Sequence, residues 1–447
     1  MKMIYGVSDK PKFGQILVFA FQQLLAILAA TIAVPSIIGN GMSQSAALFG
    51  AGVGTLIYLL FTKFRSPVFL GSSFAFIGSM FAAFGGAVSV EAGYAGLVMG
   101  ALFAGLVYVV IAAVVKFAGV NWISKLMPAV VIGPTVAIIG LSLAGNAVGD
   151  VLKFAQFDAA NAVYVMGTKG WLGFICAVVT VLVVILCSVY GKKSLKLIPF
   201  IIGILAGYVV AAIFTVIGIS TANDTFMIID FSLFQNMQWY PDFTFLSAAE
   251  GLKAIDVEYI ATVAAAYIPV AFVVFAEHIA DHKNLSTIID KDLLEDPGLH
   301  RTLLGDGIGS FVGAFFGGCP NTTYGESVAC VAITKNASVV TILTTAIVAI
   351  VASFVAPFVT FLATIPACVM GGVCITLYGF IAVSGLKMLQ NVNLSNNKNL
   401  FVASVILITG IGGMALQIGA IKITTIACAL ILGIITNLVV SKASDEE

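Results

Sequence analysis

The chain has 447 residues, of which 60% are hydrophobic and only 9% charged, and its mean hydropathy is +1.10. A soluble globular protein carries about 25% charged residues, so a water-facing globule is excluded and the composition indicates a polytopic membrane protein. With 21 basic and 21 acidic residues the formal net charge is zero, which leaves no basic field for nucleic acid.

The N-terminus, MKMIYGVSDKPKFGQ, is polar and has no small-residue cleavage pattern before the first apolar run, so no cleaved signal peptide is expected. A helix needs roughly 20 residues to cross about 30 Å of hydrocarbon. Apolar runs suited to crossing lie near 14–37, 45–62, 67–86, 93–115, 120–145, 170–190, 195–219, 257–280, 302–318, 319–334, 338–363, 366–386, 399–418 and 421–441, fourteen in all. The predicted fold is therefore an all-α polytopic membrane protein with both termini on one side. Two outer loops are long, about 146–169 and 220–256, and the second carries Trp239, Tyr240 and Phe243, aromatic residues suited to a membrane interface.

The basic residues test that alternation. Lys153, Lys169, Lys253 and Lys422 fall on one side and the other 17 of the 21 on the side of the termini. The positive-inside rule makes the richer side cytoplasmic. The main inner loop, 281–301, mixes both signs and is expected to be solvated and partly helical. The seven cysteines (176, 187, 319, 330, 368, 374 and 428) lie mostly in apolar runs without CxxC or Cys/His spacing. They read as buried small hydrophobes, with no metal site and no cofactor expected.

Two crossings cannot be ordinary helices. Arg301 and Lys335 both belong inside, yet only 33 residues separate them for two crossings. The return stretch, 319–334, would reach about 24 Å as helix at 1.5 Å per residue. A few extended residues rising about 3.3 Å each would close the gap. CPNTTYG (319–325) suits that part, with Pro320 lacking a donor, β-favouring Thr and Tyr, and Gly325 for a sharp turn. A half-helix would then start near Glu326, with the Asn and Thr residues serving the strand and its backbone instead of the chemistry. The third stretch, SPVFLGSSFAFIGSMFAAFGG (66–86), has the same texture. If the chain is two halves of seven spans, the interrupted segments correspond, and odd-numbered halves insert with inverted topology. Such a pair points to a transporter's midplane site.

Glu326 lies within a segment that must cross the membrane. Glu277 lies in AYIPVAFVVFAEHIADHKN, near the inner end of its apolar run, so its helix must continue through HIADH if it is to reach membrane depth. Asp306, five residues from Arg301, reads as interfacial. Acids at membrane depth are functional candidates because placing them there is costly. Asp281 is one turn beyond Glu277 on the same face, and a like-charge neighbour in a desolvated setting favours holding a proton, as a proton-coupled carrier requires. His278 is turned about 100° away from Glu277. His282 and His300 are expected in solvent. Two carboxylates, free N–H groups at two half-helix starts, and the rings of Phe74, Phe76 and Tyr324 would suit a flat ligand with alternating N–H and C=O on its edge, such as a nucleobase. No Ser/His/Asp cluster, metal spacing or phosphate loop suggests an enzyme.

At these residues the chain resembles the nucleobase–ascorbate transporter family, in particular its uracil permease branch. The likeness is carried by AEHI (276–279) with KDLLEDPGLHR (291–301), by PNTTYGES…AITK (320–335), by GSSFAFIG (71–78), and by YGVSDKP and LYGFIAVSG (377–385), so it runs nearly end to end. It implies fourteen spans in two inverted seven-span repeats, short antiparallel strands in spans 3 and 10, a core domain (1–119 and 257–364), a gate domain (120–256 and 365–447) and a homodimer. It further implies proton-coupled uracil import by alternating access. Substrate acids fall on Glu277 and Glu326, backbone donors on Phe74 and Gly325, and an aromatic lid on Tyr324. Proton coupling falls on Glu277, Asp281 and Glu326. Asp281 stands where the family commonly has His, while Ser327 and Ala329 stand where its signature has Asn and Gly. These departures leave the proton carrier open and keep a xanthine or other purine carrier as an alternative. An anion transporter or channel of the same architecture is another, because fold does not settle function.

Overall fold

The structure, a computed structural model, describes residues 3–119, 122, 126–192, 194–418 and 421–441. Lys2, Lys125, Lys193 and Lys442 of the charge count, and most of the predicted start of the fifth span (120–121 and 123–125), lie outside the described residues. The chain is predominantly helical. Among the described residues eight helices are long and apolar enough to cross a membrane, or nine if a sharply bent pair is one span.

In chain order the first half runs α1 (Phe13–Ile38), α2 (Gln44–Phe61), β1 (Leu70–Ser72), α3 (Ile77–Gly86), α4 (Val90–Ala118), α5 (Ala129–Ser142), α6 (Ala144–Val151), β2 (Gln156–Asp158), β3 (Val163–Val165), α7 (Thr168–Tyr190) and α8 (Pro199–Thr221). The second half runs α9 (Thr244–Gly251), α10 (Val257–Ile289), α11 (Leu299–Gly317), β4 (Asn321–Thr323), α12 (Gly325–Thr334), α13 (Val339–Ala352), α14 (Ala356–Ala363), α15 (Ala367–Met388), α16 (Asn397–Ile411), β5 (Leu416–Ile418), β6 (Ile421–Ile423) and α17 (Thr425–Val440). The loop after α6 is a β2–β3 hairpin, and strands β5 and β6 pair antiparallel between α16 and α17.

Several predicted boundaries move for local reasons. The fifth span lies at 129–151, not 120–145, because Pro128 is extended (φ −69°, ψ 166°) and the helix starts after it. The eleventh stretch is two helices bent by 82°. Pro357 sits in the first turn of α14, where a missing N–H costs nothing. The thirteenth and fourteenth stretches hold helices of only 15 and 16 residues, because the chain between them is extended. α10 continues to Ile289, well past 280, which carries Glu277 into the protein interior and turns much of the expected inner loop into helix. The rest of that loop is clasped by Asp296, which accepts from Arg65 Nη1 at 2.7 Å and pairs with Lys291 at 3.2 Å. Those hydrogen bonds hold the Asp296 carboxyl below its usual range.

The centre of the fold is a seam of glycines between α2 and α11. A methyl on Gly54 would lie 2.7 Å from the Gly309 carbonyl, and one on Gly317 would lie 2.5 Å from that of Ala46. Lipid offers no hydrophobic force between helices, so close approach through small residues supplies the packing energy. Gly309→Ala would place its Cβ 2.8 Å from both the Gly54 carbonyl and Leu70 Cδ1. It is expected to destabilise by about 1–3 kcal/mol through overpacking. Gly145→Ala, where a Cβ meets nothing within 4 Å, is expected to be neutral or slightly stabilising. Thermal unfolding of the two purified variants in detergent checks the contrast.

Candidate functional site

Both interrupted crossings have the expected form, and they meet. β1 pairs antiparallel with β4 in the register Leu70 with Thr323, Gly71 with Thr322 and Ser72 with Asn321. Ser73 N–H extends the contact to the Pro320 carbonyl at 2.8 Å. Each strand leads into a half-helix, α3 or α12. The Phe74 N–H is the first beyond the strand contacts, and the Gly325 N–H is the first of α12. The first N–H groups of a helix have no partner within it.

The strands are held from behind. Asn321 Nδ2 donates to the Gly50 carbonyl at 3.0 Å, and only glycine at 54 and 313 leaves room for its amide. Tyr324 Oη donates to the Ser72 carbonyl at 2.7 Å, and its ring occupies the space a side chain at Gly71 would take. Tyr324 is thus pinned along β1, while Phe74 is the half-buried aromatic, edge-on to Tyr378 of α15 at 5.9 Å.

A cavity of about 410 Å³ lies beside this junction, and Phe74, Glu277, Asp281, Tyr324, Gly325 and Glu326 all line it. The predicted site residues are therefore brought together from three separate stretches. Glu277, Asp281 and Glu326 are half-buried, and a Cβ at Gly325 would meet only open space. The opposite wall comes from α5, α7, α8 and α15, through residues such as Ile139, Phe200 and Phe380. Lys196 also reaches the cavity.

Two expectations about the motif change. Thr323 is not merely a strand residue: its hydroxyl donates to Asp281 Oδ2 at 2.6 Å, tying β4 to α10. Ser327 does not line the cavity. It is buried, accepts from Gln23 Nε2 at 2.6 Å and from Phe69 N–H at 3.2 Å, and so fastens the first turn of α12 to α1 and β1. Gln23, the buried one of three glutamines in the apolar α1, is the α1 partner of that contact. Ala329 does line the cavity, so its methyl narrows the space a glycine would leave.

Two expectations about titratable residues are overturned. Asp306 is not interfacial but 1% exposed, with Oδ2 2.7 Å from His278 Nδ1. His282 is not in solvent but fully buried, with Nε2 2.7 Å from Tyr58 Oη. Both follow from the length of α10, which carries His278 against Asp306 of α11 and His282 against Tyr58 of α2. His300 is half-buried.

Comparison with known proteins agrees with this architecture. A family profile described as "Permease family" matches residues 14–419. The chain is 38% identical over 443 residues to a uracil permease of Bacillus caldolyticus, covering 98% of this chain and 95% of the relative. It is 36% identical over 452 residues to the uracil permease of Bacillus subtilis strain 168 (100% and 97% covered) and 35% over 436 residues to that of Escherichia coli K12 (97% and 93%). Among solved structures, the transmembrane domain of the cyanobacterial bicarbonate transporter BicA superposes with a TM-score of 0.65 at 17% identity, covering 97% of this chain and 100% of that one. The murine Slc26a9 anion transporter in its inward-facing state also gives 0.65, at 12% identity (97% and 69% covered). At such identities the likeness concerns the fold alone. The family and the apolar helices make the chain an integral membrane transporter and not an enzyme. It belongs to the Permease family, the nucleobase–ascorbate transporters its motifs resemble, and groups there with the uracil permeases.

Proposed function

We propose that this transporter carries uracil inward together with a proton. The observation that supports it best is that Glu277, Glu326, Phe74 and Gly325 line one cavity. Uracil is flat, with N–H and C=O groups alternating on its edge. The two carboxylates accept its N–H groups, the two backbone amides donate to its carbonyls, and the Phe74 ring packs on its face. About 410 Å³ is a fitting volume for a small ligand. Three carboxylates around the cavity disfavour a simple anion, whose charge they would repel.

The transport cycle follows from placing these elements in fourteen crossings as two inverted seven-span repeats. The antiparallel pairing of two corresponding interrupted segments supports that arrangement. Residues 1–119 and 257–364 form the core that carries substrate, and 120–256 and 365–447 form the gate it moves against, as a homodimer by family resemblance. The cavity lies between elements of these two groups. Protonation among Glu277, Asp281 and Glu326 lowers the charge that must move, and Thr323 ties Asp281 to the strand that precedes Glu326. The excess of basic residues places both termini in the cytoplasm of a cell whose plasma membrane holds the protein.

Glu326→Gln and Glu277→Gln each put an amide donor where an acceptor is needed. Each is expected to weaken uracil binding by about 10- to 100-fold, read as lost thermal stabilisation by uracil in a protein that still folds. Undiminished stabilisation in Glu326→Gln would refute its role. In proteoliposomes, an inward-directed proton gradient should drive uracil accumulation, and a protonophore should abolish it; accumulation indifferent to the gradient would remove the proton from the cycle. An epitope inserted at Ala160, at the tip of the β2–β3 hairpin, should bind antibody on intact spheroplasts. Labelling only after lysis would reverse the orientation.

A further inference from the structure

Beside the cavity-facing acids, α10 carries a second polar cluster on another face, directed toward α11, α2 and α4. His278 and Asp306 are fully buried there, with Nδ1 and Oδ2 2.7 Å apart. The His278 Nε2 is 2.9 Å from Thr302 Oγ1, and the Thr302 hydroxyl donates to the Leu299 carbonyl at 3.0 Å. A hydroxyl has one hydrogen. Given to the Leu299 carbonyl, that hydrogen leaves Thr302 to accept from an Nε2–H of His278; turned to Nε2, it leaves Nδ1–H to donate to an aspartate.

In the first arrangement the contact with Asp306 requires a second proton. Either an imidazolium donates Nδ1–H to an aspartate, or a neutral imidazole accepts from an aspartic acid. In both cases the pair holds one proton more than aspartate and neutral histidine would, and its net charge is zero. The second arrangement keeps an aspartate anion in a dry interior, which is costly. The other Asp306 oxygen, Oδ1, has no hydrogen-bond partner, which further disfavours a bare carboxylate.

The titratable neighbours come from three helices. On α10 they are Glu277, next in sequence, Asp281, and His282, whose ring stacks on His278 at 4.0 Å and whose Nδ1–H donates to the His278 carbonyl at 2.8 Å. α2 supplies Tyr58, bonded to His282 and Ser66, and α4 supplies Tyr108, edge-on to His278 at 6.4 Å. Glu277 and Asp281 both lie within electrostatic range of Asp306.

We propose that the Asp306–His278 pair is a proton-binding site distinct from the substrate carboxylates, and that its proton is the one exchanged during transport. The link rests on the proton coupling inferred above. When the pair releases its proton to inner water it becomes aspartate and neutral imidazole, with a charge of −1, and it regains one proton from the outer side to complete the cycle. Glu277, one residue away on the same rigid helix, senses that change of charge.

Asp306→Asn keeps the shape of the pair, but its amide donates to a neutral Nδ1 and leaves no exchangeable proton. In proteoliposomes the ratio of uracil-linked proton entry to labelled-uracil counterflow is expected to fall by about tenfold or more in Asp306→Asn, and Asp306→Glu is expected to restore part of it. An unchanged ratio in Asp306→Asn would overturn the proposal. Infrared spectra of the unsubstituted protein with isotopically labelled Asp and His decide the question without a folded variant. At neutral pH a protonated buried aspartate or a buried imidazolium, persisting in Asp281→Asn, supports the pair, and the absence of both bands overturns it. If the unsubstituted protein shows no uracil-linked proton entry, the symport fails, while the infrared result still decides whether the pair holds a proton.

Discussion

The pairing of β1 with β4 is the constraint on which the rest depends. Inside a bilayer there is no water to satisfy an exposed backbone group, and each one left unpaired costs several kcal/mol. Two interrupted segments at membrane depth are possible only because their extended parts satisfy one another. Once they do, the half-helices that follow must start in the same region of the interior. Phe74, just ahead of α3, and Gly325, the first residue of α12, then line the same cavity. The pairing also explains the small residues around it: Gly54 and Gly313 admit Asn321, and Gly71 admits the ring of Tyr324.

α10 connects this junction to the remainder of the molecule. Its period of 3.6 residues places Glu277 and Asp281 toward the cavity, while His278 and His282, each one position on, face α11 and α2. The depth of the cavity acids is thus held by buried contacts on a neighbouring face. Thr323 adds a tie from the strand side. An acid placed on a long helix buried on several sides is positioned more rigidly than one on a loop, which suits a group that must meet a small flat molecule at hydrogen-bond distance.

Much of the site was legible in the linear chain because the limits were metric. Thirty-three residues between Arg301 and Lys335 cannot cross twice as helix, so an extended segment followed from bond lengths alone. The cavity residues Phe74, Tyr324, Gly325 and Glu326 came from that same deduction and its counterpart in the third stretch. What misled was hydropathy near helix ends. Asp306 and His282 looked like boundary residues because charge lies close to them in sequence, whereas burial depends on which helices pack alongside. The break at Pro357 and the late start after Pro128 were written in the prolines but masked by uninterrupted apolar composition.

By itself, then, the sequence determined that the chain lives in lipid, that its basic residues gather in alternate loops, that two segments are interrupted, and that Glu326 lies in one of them. These are consequences of composition, chain length and the reach of a residue, and none requires knowing a neighbour. Only the tertiary structure decided that the two interruptions pair with each other, that Ser327 bonds to Gln23 while Ala329 faces the cavity, and that Asp306 meets His278. Each of those contacts joins stretches distant in the chain through side-chain hydrogen bonds. Their partners are chosen by helix packing, through glycine seams that let backbones approach, and not by any local pattern along the sequence.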